Sequence, residues 1–293
     1  MTSPSTVPFR AYVFLALSMS LVGSYVGLAK LLVAVFPVFL LAGLRFGSAA
    51  VLMLPWLRSG PGAAPLDKRT RGLLFLESFF GNFLFSICLL FGMRESSAAA
   101  AGVIMAGMPA AVAVMSRVFL GERIAPSMAM AVACSVGGIA IVAAQRDGGS
   151  STPPLGAALL VGALLCEALY VVIGKRLTAS LSPKRISALM NLWGLVLVLP
   201  FALWQASSFD FSVPSLANWG LSAFYAIAAS IVTVWLWMLG LRHVPASKAG
   251  VFMVFLPIST ALVGLLLGET LSHAQMLAYT LALAGVVLAT LRQ

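Results

Sequence analysis

The sequence reads YVGLAK at residues 25–30 and YVVIGK at residues 170–175, so one short motif returns 145 residues later. Other pairs recur in the same order: Pro55 with Pro200, Gly102-Val103 with Gly250-Val251, and Gly121-Glu122 with Gly268-Glu269. Their offsets of 145 to 148 residues are half of the 293-residue chain. Self-similarity at a fixed offset indicates a duplicated structural unit. We therefore predict two copies, residues 1–147 and 148–293.

The composition excludes a soluble globular protein. Hydrophobic residues make up 61% of the chain, charged residues only 9%, and the mean hydropathy is +1.05. Soluble domains carry about 25% charged residues, which they need to cover their surface. A chain this apolar is expected to use the lipid bilayer as its solvent.

Apolar runs long enough to cross a bilayer divide the chain into short helical segments. About 20 apolar residues span the hydrocarbon core as a helix. The sequence predicts ten such spans, near residues 11–29, 36–57, 73–93, 96–116, 124–144, 154–174, 186–205, 216–241, 249–267 and 271–291. Five spans in each copy mean that the second copy crosses the membrane in the opposite direction. The predicted fold is an all-α polytopic membrane protein built from two inverted five-helix repeats, which is typical of alternating-access transporters.

The basic residues predict the orientation. With the N-terminus in the cytoplasm, 14 of the 18 Lys and Arg residues fall on the cytoplasmic side and three on the outer side. This bias predicts cytoplasmic N- and C-termini in a cell inner membrane. The net charge of +10 is spread over short loops, so it does not indicate nucleic acid binding.

No pattern of residues indicates a metal, a cofactor or a catalytic group. The three cysteines lie inside apolar runs without a CxxC spacing, and His243 and His273 lie near span ends. Neither histidine lies at mid-span, where an intramembrane enzyme would need its catalytic residues. We therefore expect that the protein is not an enzyme. Its expected partners are a small-molecule substrate and the lipid bilayer, and its expected state is a monomer or a weak homodimer.

The recurring motifs carry a family resemblance. The first span of each copy ends in Lys (Lys30, Lys175), and the fourth has a mid-helix proline followed by Gly-Glu (Pro109, Pro257). Only the first copy carries Leu44-Arg45-Phe46. This pattern resembles the EamA branch of the drug/metabolite transporter superfamily, and within it the YddG-type exporters of aromatic amino acids. The resemblance implies a central cavity lined by spans 1, 3, 4, 6, 8 and 9, and export of drugs or other metabolites such as nucleosides is the alternative.

Span 3 carries the clearest candidate binding surface. Ser78, Asn82 and Ser86 recur every four residues, so they form one polar stripe on a helix. Polar groups at this depth need partners, either on a substrate or on neighbouring helices. Phe79 and Phe83 flank the stripe and are candidates to stack on an aromatic ligand, although lipid or core packing predicts the same pattern.

Three charged residues lie within predicted spans. Glu167 lies deep in span 6 with Tyr170 on the same face, and we expect it to bind a substrate ammonium or a proton, or to be held between helices. Glu77 lies near the start of span 3, where a gate or a solvated edge is expected. Arg45 lies in span 2, which is peripheral in the family, so a structural pair with a carboxylate or with backbone carbonyls is favoured, and binding of a substrate carboxylate is the alternative.

Further candidates lie on the other spans that the family uses. Span 8 offers Thr233 and Trp237 on one face, and span 1 offers Ser24 next to Tyr25. Packing between helices is the alternative role for each. Pro109 and Pro257 occupy the same place in both copies and predict paired helix kinks, with Met108 as an adaptable neighbour. The predicted function is export of small amphipathic metabolites, with aromatic amino acids as the first candidates. Coupling to protons through Glu167 and facilitated transport are the two alternatives for its mechanism.

Overall fold

The computed structural model describes residues 8–57, 66–120, 133, 137, 153–244, 249–274, 276–277, 279–281 and 284. Within these ranges, all regular secondary structure is helical. The α-helices are α1 (Phe9–Val33), α2 (Val38–Leu52), α3 (Leu54–Leu57), α4 (Lys68–Ser78), α5 (Phe85–Arg94), α6 (Ala98–Met105), α7 (Met108–Leu120), α8 (Pro154–Leu177), α9 (Pro183–Ala206), α10 (Leu216–Ala226), α11 (Thr233–His243) and α12 (Phe255–Leu266).

Six helical segments of the described chain are long and apolar enough to cross a membrane. They are Phe9–Val33, Lys68–Arg94, Ala100–Phe119, Pro154–Leu177, Pro183–Ala206 and Leu216–His243. Two shorter apolar helices, Val38–Leu52 and Phe252–Leu266, match predicted spans 2 and 9. The predicted spans at 124–144 and 271–291 lie largely outside the described residues. The protein is therefore a helical polytopic membrane protein.

Several of these helices have an N-cap side chain at the point where a polar stretch of sequence is followed by an apolar one. Asp67, Ser97, Ser182 and Ser215 each accept a hydrogen bond from the backbone N–H three residues on. Such caps satisfy amides that the first helical turn leaves unpaired. The hydrogen bonds from Thr70 also hold the pKa of the exposed Asp67 carboxyl below its usual value.

Two of the long helices contain a π-helical turn. Residues Phe79–Leu84 form one between α4 and α5, and Ile227–Val232 form the other between α10 and α11. The two turns are 148 residues apart, which is the offset of the sequence repeat. A π turn inserts one extra residue into the helical register and often occurs at functional sites. We name the continuous helices α4–α5 (Lys68–Arg94) and α10–α11 (Leu216–His243).

The packing of the helices follows the same two-fold pattern. Helix α1 packs against α11 and α12 from the second half of the chain, and α8 packs against α5 and α7 from the first half. Helices α2 and α9 pack against each other. The first helix of each half therefore contacts the third and fourth helices of the other half.

Large apolar side chains are exposed on the outer surface of this bundle. Leu155, Leu203, Trp204, Leu216 and Leu266 are each more than 60% exposed. A soluble monomer seldom exposes apolar patches of this extent, whereas a bilayer solvates them. This surface is the one that faces lipid.

Candidate functional site

A small cavity lies where α1, α2, α4–α5, α8 and α10–α11 meet. Its lining residues are Met19, Val22, Tyr25, Arg45, Gly81, Asn82, Phe85, Glu167, Tyr170, Ala229, Thr233, Val234 and Trp237. The free volume inside is about 20 Å³, which is room for about one water molecule. The cavity thus combines one cation, one carboxylate and an aromatic wall in a small space.

Arg45 presents an incompletely paired guanidinium to this cavity. Its Nη2 donates to Asn82 Oδ1 at 3.4 Å and its Nη1 donates to the Tyr225 hydroxyl at 3.5 Å, while Nε has no partner in the described chain. Both hydrogen bonds are long for charged donors, which prefer about 2.7–2.9 Å. The Phe46 ring lies 4.4 Å from the guanidinium carbon. Arg45 is therefore oriented by its neighbours and keeps the capacity to bind an anion.

Glu167 supplies the opposite charge from α8. Its side chain is buried at 6% exposure, and no described residue donates a hydrogen bond or forms an ion pair with its carboxylate. An ionised carboxylate in such a place is costly without a partner. Arg45 lines the same cavity and interacts electrostatically with Glu167 without forming an ion pair, so the two groups suit the two ends of a ligand that carries opposite charges.

An aromatic and polar wall completes the cavity. Tyr25 and Tyr170 come from α1 and α8, and Trp237 comes from α11 and is fully buried. Trp237 Nε1 and Thr233 Oγ1 have no hydrogen-bond partner within the described residues. Ser18 Oγ donates to the Thr233 carbonyl at 2.9 Å and fixes α1 against α11. Buried donors without partners are costly, so a ligand or water that accepts their hydrogen bonds would be stabilised.

The cavity lining consists in part of equivalent positions from the two halves. At the 148 offset, Gly81 matches Ala229 and Phe85 matches Thr233; at the 145 offset, Tyr25 matches Tyr170 and Val22 matches Glu167. All eight residues line the cavity. The cavity therefore lies where the two halves of the chain meet.

The structure brings five of the predicted site residues to this cavity. They are Asn82, Glu167, Tyr170, Thr233 and Trp237. Ser78 does not line it, since its hydroxyl donates to the Leu74 carbonyl of its own helix at 2.7 Å. Ser24 likewise donates to the Ser20 carbonyl at 2.9 Å. The π turn after Ser78 breaks the regular spacing on which the predicted stripe of Ser78, Asn82 and Ser86 depended.

The other predicted residues lie outside the cavity. The Phe79 and Phe83 rings contact each other in a tilted arrangement at 5.8 Å between ring centroids, and both are half-buried. Met108 is fully buried in the hydrophobic core, and Pro257 is buried in α12. Pro109 lies in α7, and its side chain is outside the described residues. Helices α7 and α12 pack behind α8 and α1, so they do not reach the cavity.

Sequence analysis did not single out seven of the lining residues, and it favoured a structural role for an eighth, Arg45. The seven are apolar or aromatic, so nothing distinguishes them from core residues in the sequence: Met19, Val22, Tyr25, Gly81, Phe85, Ala229 and Val234. Arg45 was expected to be structural because α2 was expected at the periphery. The signal that could have found it was present: a lone cation in an apolar span faces protein or water, not lipid.

Glu77 also differs from expectation. It was expected at a solvated edge, but it is fully buried and both carboxylate oxygens lack a hydrogen-bond partner in the described chain. Its neighbours are Gly174 and Tyr170 on α8. In the described residues, no group of three or more His, Cys, Asp or Glu side chains could hold a metal ion.

Comparison with known proteins decides the family. The sequence model of the EamA-like transporter family matches residues 9–144 and, a second time, residues 154–291. The chain belongs to the EamA-like transporter family. This EamA-like transporter is 33% identical over 288 residues to the uncharacterized transporter YetK of Bacillus subtilis, covering 97% of this chain and 87% of YetK.

Two further comparisons agree with this assignment. The uncharacterized inner membrane transporter YedA of Escherichia coli K12 is 27% identical over 262 residues, covering 87% of this chain and 82% of YedA. A solved crystal structure superposes with a TM-score of 0.65 over 99% of this chain and 98% of its own, at 18% sequence identity. That last likeness shows the fold alone. The protein is thus a membrane transporter, and its substrate depends on the chemistry of the cavity.

Proposed function

We propose that this EamA-like transporter exports small zwitterionic, amphipathic metabolites, with aromatic amino acids as the first substrates to test. The observation that carries the proposal is the pair Arg45 and Glu167, which line one cavity without forming an ion pair with each other. A zwitterion would place its carboxylate on Arg45 and its ammonium on Glu167. Each charge would then have a partner, which a buried charge requires.

The remaining lining residues suit an apolar or aromatic side chain. Trp237, Phe85, Met19 and Val22 offer a hydrophobic surface, and Asn82 offers a free amide Nδ2. Aromatic rings gain roughly 0.5–1.5 kcal/mol from ring–ring contacts beyond the area they bury. A sugar phosphate is disfavoured, because such a ligand favours several basic residues and the described cavity has one.

The small cavity supports a transport cycle with a closed state. A free volume of about 20 Å³ holds about one water, so the helices must separate to admit an amino acid. The helices could bend at the positions where their regular structure is interrupted. These are the two π turns, residues 106–107 between α6 and α7, and the 3₁₀ segment Gly250–Val254 before α12. Alternating access at a site between two halves would use such breaks.

A two-fold relation between the halves supports the proposed inverted repeats, residues 1–147 and 148–293. The family model matches twice, the π turns are 148 residues apart, and the packing pairs equivalent helices. With five spans in each half, ten in all, the second half would cross the membrane in the opposite direction. The Lys and Arg bias of the loops supports cytoplasmic termini in an inner membrane.

Polar contacts at the ends of the two first helices are candidates to close the cavity. Lys30, just after Tyr25 on α1, pairs with Glu269 at 2.9 Å, and Glu269 also accepts from the Ala98 amide. Lys175, just after Tyr170 on α8, donates to the Leu241 and Val244 carbonyls. In both halves, a lysine five residues after a cavity tyrosine binds the end of its helix to the other elements named here.

The test is uptake into liposomes that contain the purified protein. Radiolabelled phenylalanine, tryptophan and threonine are compared with and without a pH gradient. We expect saturable uptake, faster for the two aromatic amino acids. Trp237→Ala should raise KM about tenfold, because it removes a buried aromatic contact. Trp204→Ala is the matched control, since Trp204 is 69% exposed on the lipid-facing surface and should not affect KM.

Two charge-removing variants separate zwitterions from the alternative substrates. For a zwitterion, Arg45→Gln and Glu167→Gln should both abolish uptake. A cationic drug would depend on Glu167 alone, and an uncharged nucleoside on neither residue. Failure of the wild-type protein to transport any of the three amino acids would contradict the proposal and leave the family assignment intact.

A further inference from the structure

Glu77 is a second buried carboxylate that the proposed substrate site does not use. It lies in α4, nine residues after the first residue of the Lys68–Arg94 helix, so about 14 Å from the end of that helix. The side chain is completely buried, and neither oxygen has a hydrogen-bond partner in the described chain. This isolation within a transporter calls for a functional explanation.

The carboxylate lies against a glycine of α8. A Cβ added at Gly174 would be 2.7 Å from Glu77 Oε1, so a larger residue there would displace the carboxylate. One turn along, a Cβ added at Gly81 would be 2.6 Å from Tyr170 Cδ2. These two close contacts bring α4–α5 and α8 together. They place Glu77 one turn from Tyr170, which lines the cavity.

Tyr170 links the two carboxylates. Glu167, Tyr170 and Gly174 are three and four residues apart and share one face of α8. Glu77, at the level of Gly174, is therefore about 10 Å from Glu167 along the helix axis. Tyr170 interacts electrostatically with both Glu77 and Glu167. A row of three ionisable side chains thus leads from the cavity to Glu77.

No basic side chain of the described residues forms an ion pair with Glu77. The basic residues of the helices that pack on α4 are Lys175 and Arg176 of α8 and Lys184 and Arg185 of α9. Lys175 bonds to the Leu241 and Val244 carbonyls, and Arg176 bonds to the Phe119 carbonyl. Lys184 lies over the Trp56 and Trp235 rings. None of the four forms an ion pair with Glu77, and its electrostatic neighbour Glu167 has the same charge.

This environment favours a bound proton. An ionised carboxylate buried without a cation or donors costs several kcal/mol, whereas the neutral acid costs much less. A metal cation would need several oxygen ligands, and among the described residues no group of three or more His, Cys, Asp or Glu side chains could hold one. We infer that Glu77 is a proton-binding site, connected to the substrate cavity through Tyr170, and that export is coupled to proton entry.

The inference rests on the proposed function and adds a coupling ion to it. Glu77 takes up one proton from the outer water when the transporter opens outward. It releases that proton to the cytoplasm when the transporter opens inward, and the substrate moves in the opposite direction. One proton exchanged per substrate allows about tenfold accumulation for each unit of pH gradient.

The first measurement needs no substrate. Infrared spectra of the purified protein, recorded as pH is raised, report the carbonyl band of protonated carboxylic acids. We expect a band that persists at neutral pH in the wild type and in Glu95→Gln, a control that removes an exposed glutamate. Glu77→Gln should lose the component of this band that persists in Glu167→Gln, while running as a folded protein in size-exclusion chromatography. Glu77→Asp, which keeps a carboxyl group, should retain it.

The second measurement tests coupling in liposomes. With a pH gradient that is acidic on the side opposite the substrate, wild type and Glu95→Gln should accumulate substrate above the external concentration. Glu77→Gln should only equilibrate it, but should still exchange labelled for unlabelled substrate, which moves no net proton. An unchanged infrared band or undiminished accumulation in Glu77→Gln overturns the inference. If the wild type transports no amino acid, the proposed substrate fails, and the infrared band alone decides whether Glu77 binds a proton.

Discussion

Helices α4–α5 and α10–α11 have the same shape but carry different chemistry. Both contain a π turn, 148 residues apart, and both contribute to the central cavity at equivalent positions. In the first, the positions at and near the π turn hold Glu77, Gly81 and Asn82; in the second they hold Tyr225, Ala229 and Ser230. The backbone is repeated, whereas the carboxylate occurs once.

The same contrast holds for the other charges of the interior. Arg45 lies where the 145 offset places Met190, next to Asn191, and Glu167 lies where it places Val22. Duplication of a backbone needs only the same apolar pattern in both halves. Recognition of one asymmetric molecule needs different groups on the two sides of the site. The comparison predicts that substitutions at equivalent positions have unequal effects.

The largest effect is expected from making the two halves alike at Arg45. Arg45→Met introduces the residue found at position 190, and it should reduce amino acid uptake at least about thirtyfold. The cause is a substrate carboxylate left without a cation. Asn191→Leu is the control: its amide bonds to the Ser187 and Ser230 carbonyls, so its loss should lower thermal stability and leave KM unchanged. Equal KM effects of both variants would contradict the asymmetry.

An intermediate effect is expected where helix α4–α5 of the first half packs closely on α8 of the second half. Gly81→Ala would place a methyl group 2.6 Å from Tyr170 Cδ2 and should destabilise the protein by about 1–3 kcal/mol. Ala229→Gly, the reverse change at the equivalent position, should cost about 1 kcal/mol or less. Thermal unfolding in detergent micelles compares the two. A larger loss of stability in Ala229→Gly than in Gly81→Ala would contradict this prediction and show that the packing at Ala229 is the more sensitive of the two.

The smallest effect is expected at the lysines that end the first helices. Lys30→Met removes a part-exposed ion pair with Glu269 and should cost about 0.2–1 kcal/mol. Lys175→Met removes hydrogen bonds of 2.7 and 2.8 Å to the Leu241 and Val244 carbonyls, so a somewhat larger loss of about 1–3 kcal/mol is expected. The same thermal assay measures both. An effect of Lys30→Met exceeding that of Lys175→Met would reverse this order.

Several features of the fold could be predicted because they depend on local pattern. Long apolar runs predicted membrane helices, and polar residues such as Asp67 and Ser182 before such runs marked where helices begin. Asn82, Glu167, Thr233 and Trp237 could be singled out because polar or amphipathic groups are rare at this depth. Ser78 was predicted for the same reason, but a serine can also satisfy its hydroxyl on its own helix.

The sequence by itself determined the membrane class, the repeated unit and the presence of a few charges in an apolar interior. These follow from composition and periodicity, since the bilayer penalises every polar group without a partner. Only the tertiary structure decided which of these groups meet. The π turns changed the register of α4–α5 and α10–α11, and the packing of α2 moved Arg45 to the cavity. The close contact at Gly174 buried Glu77, because helix contacts depend on residues from both halves of the chain.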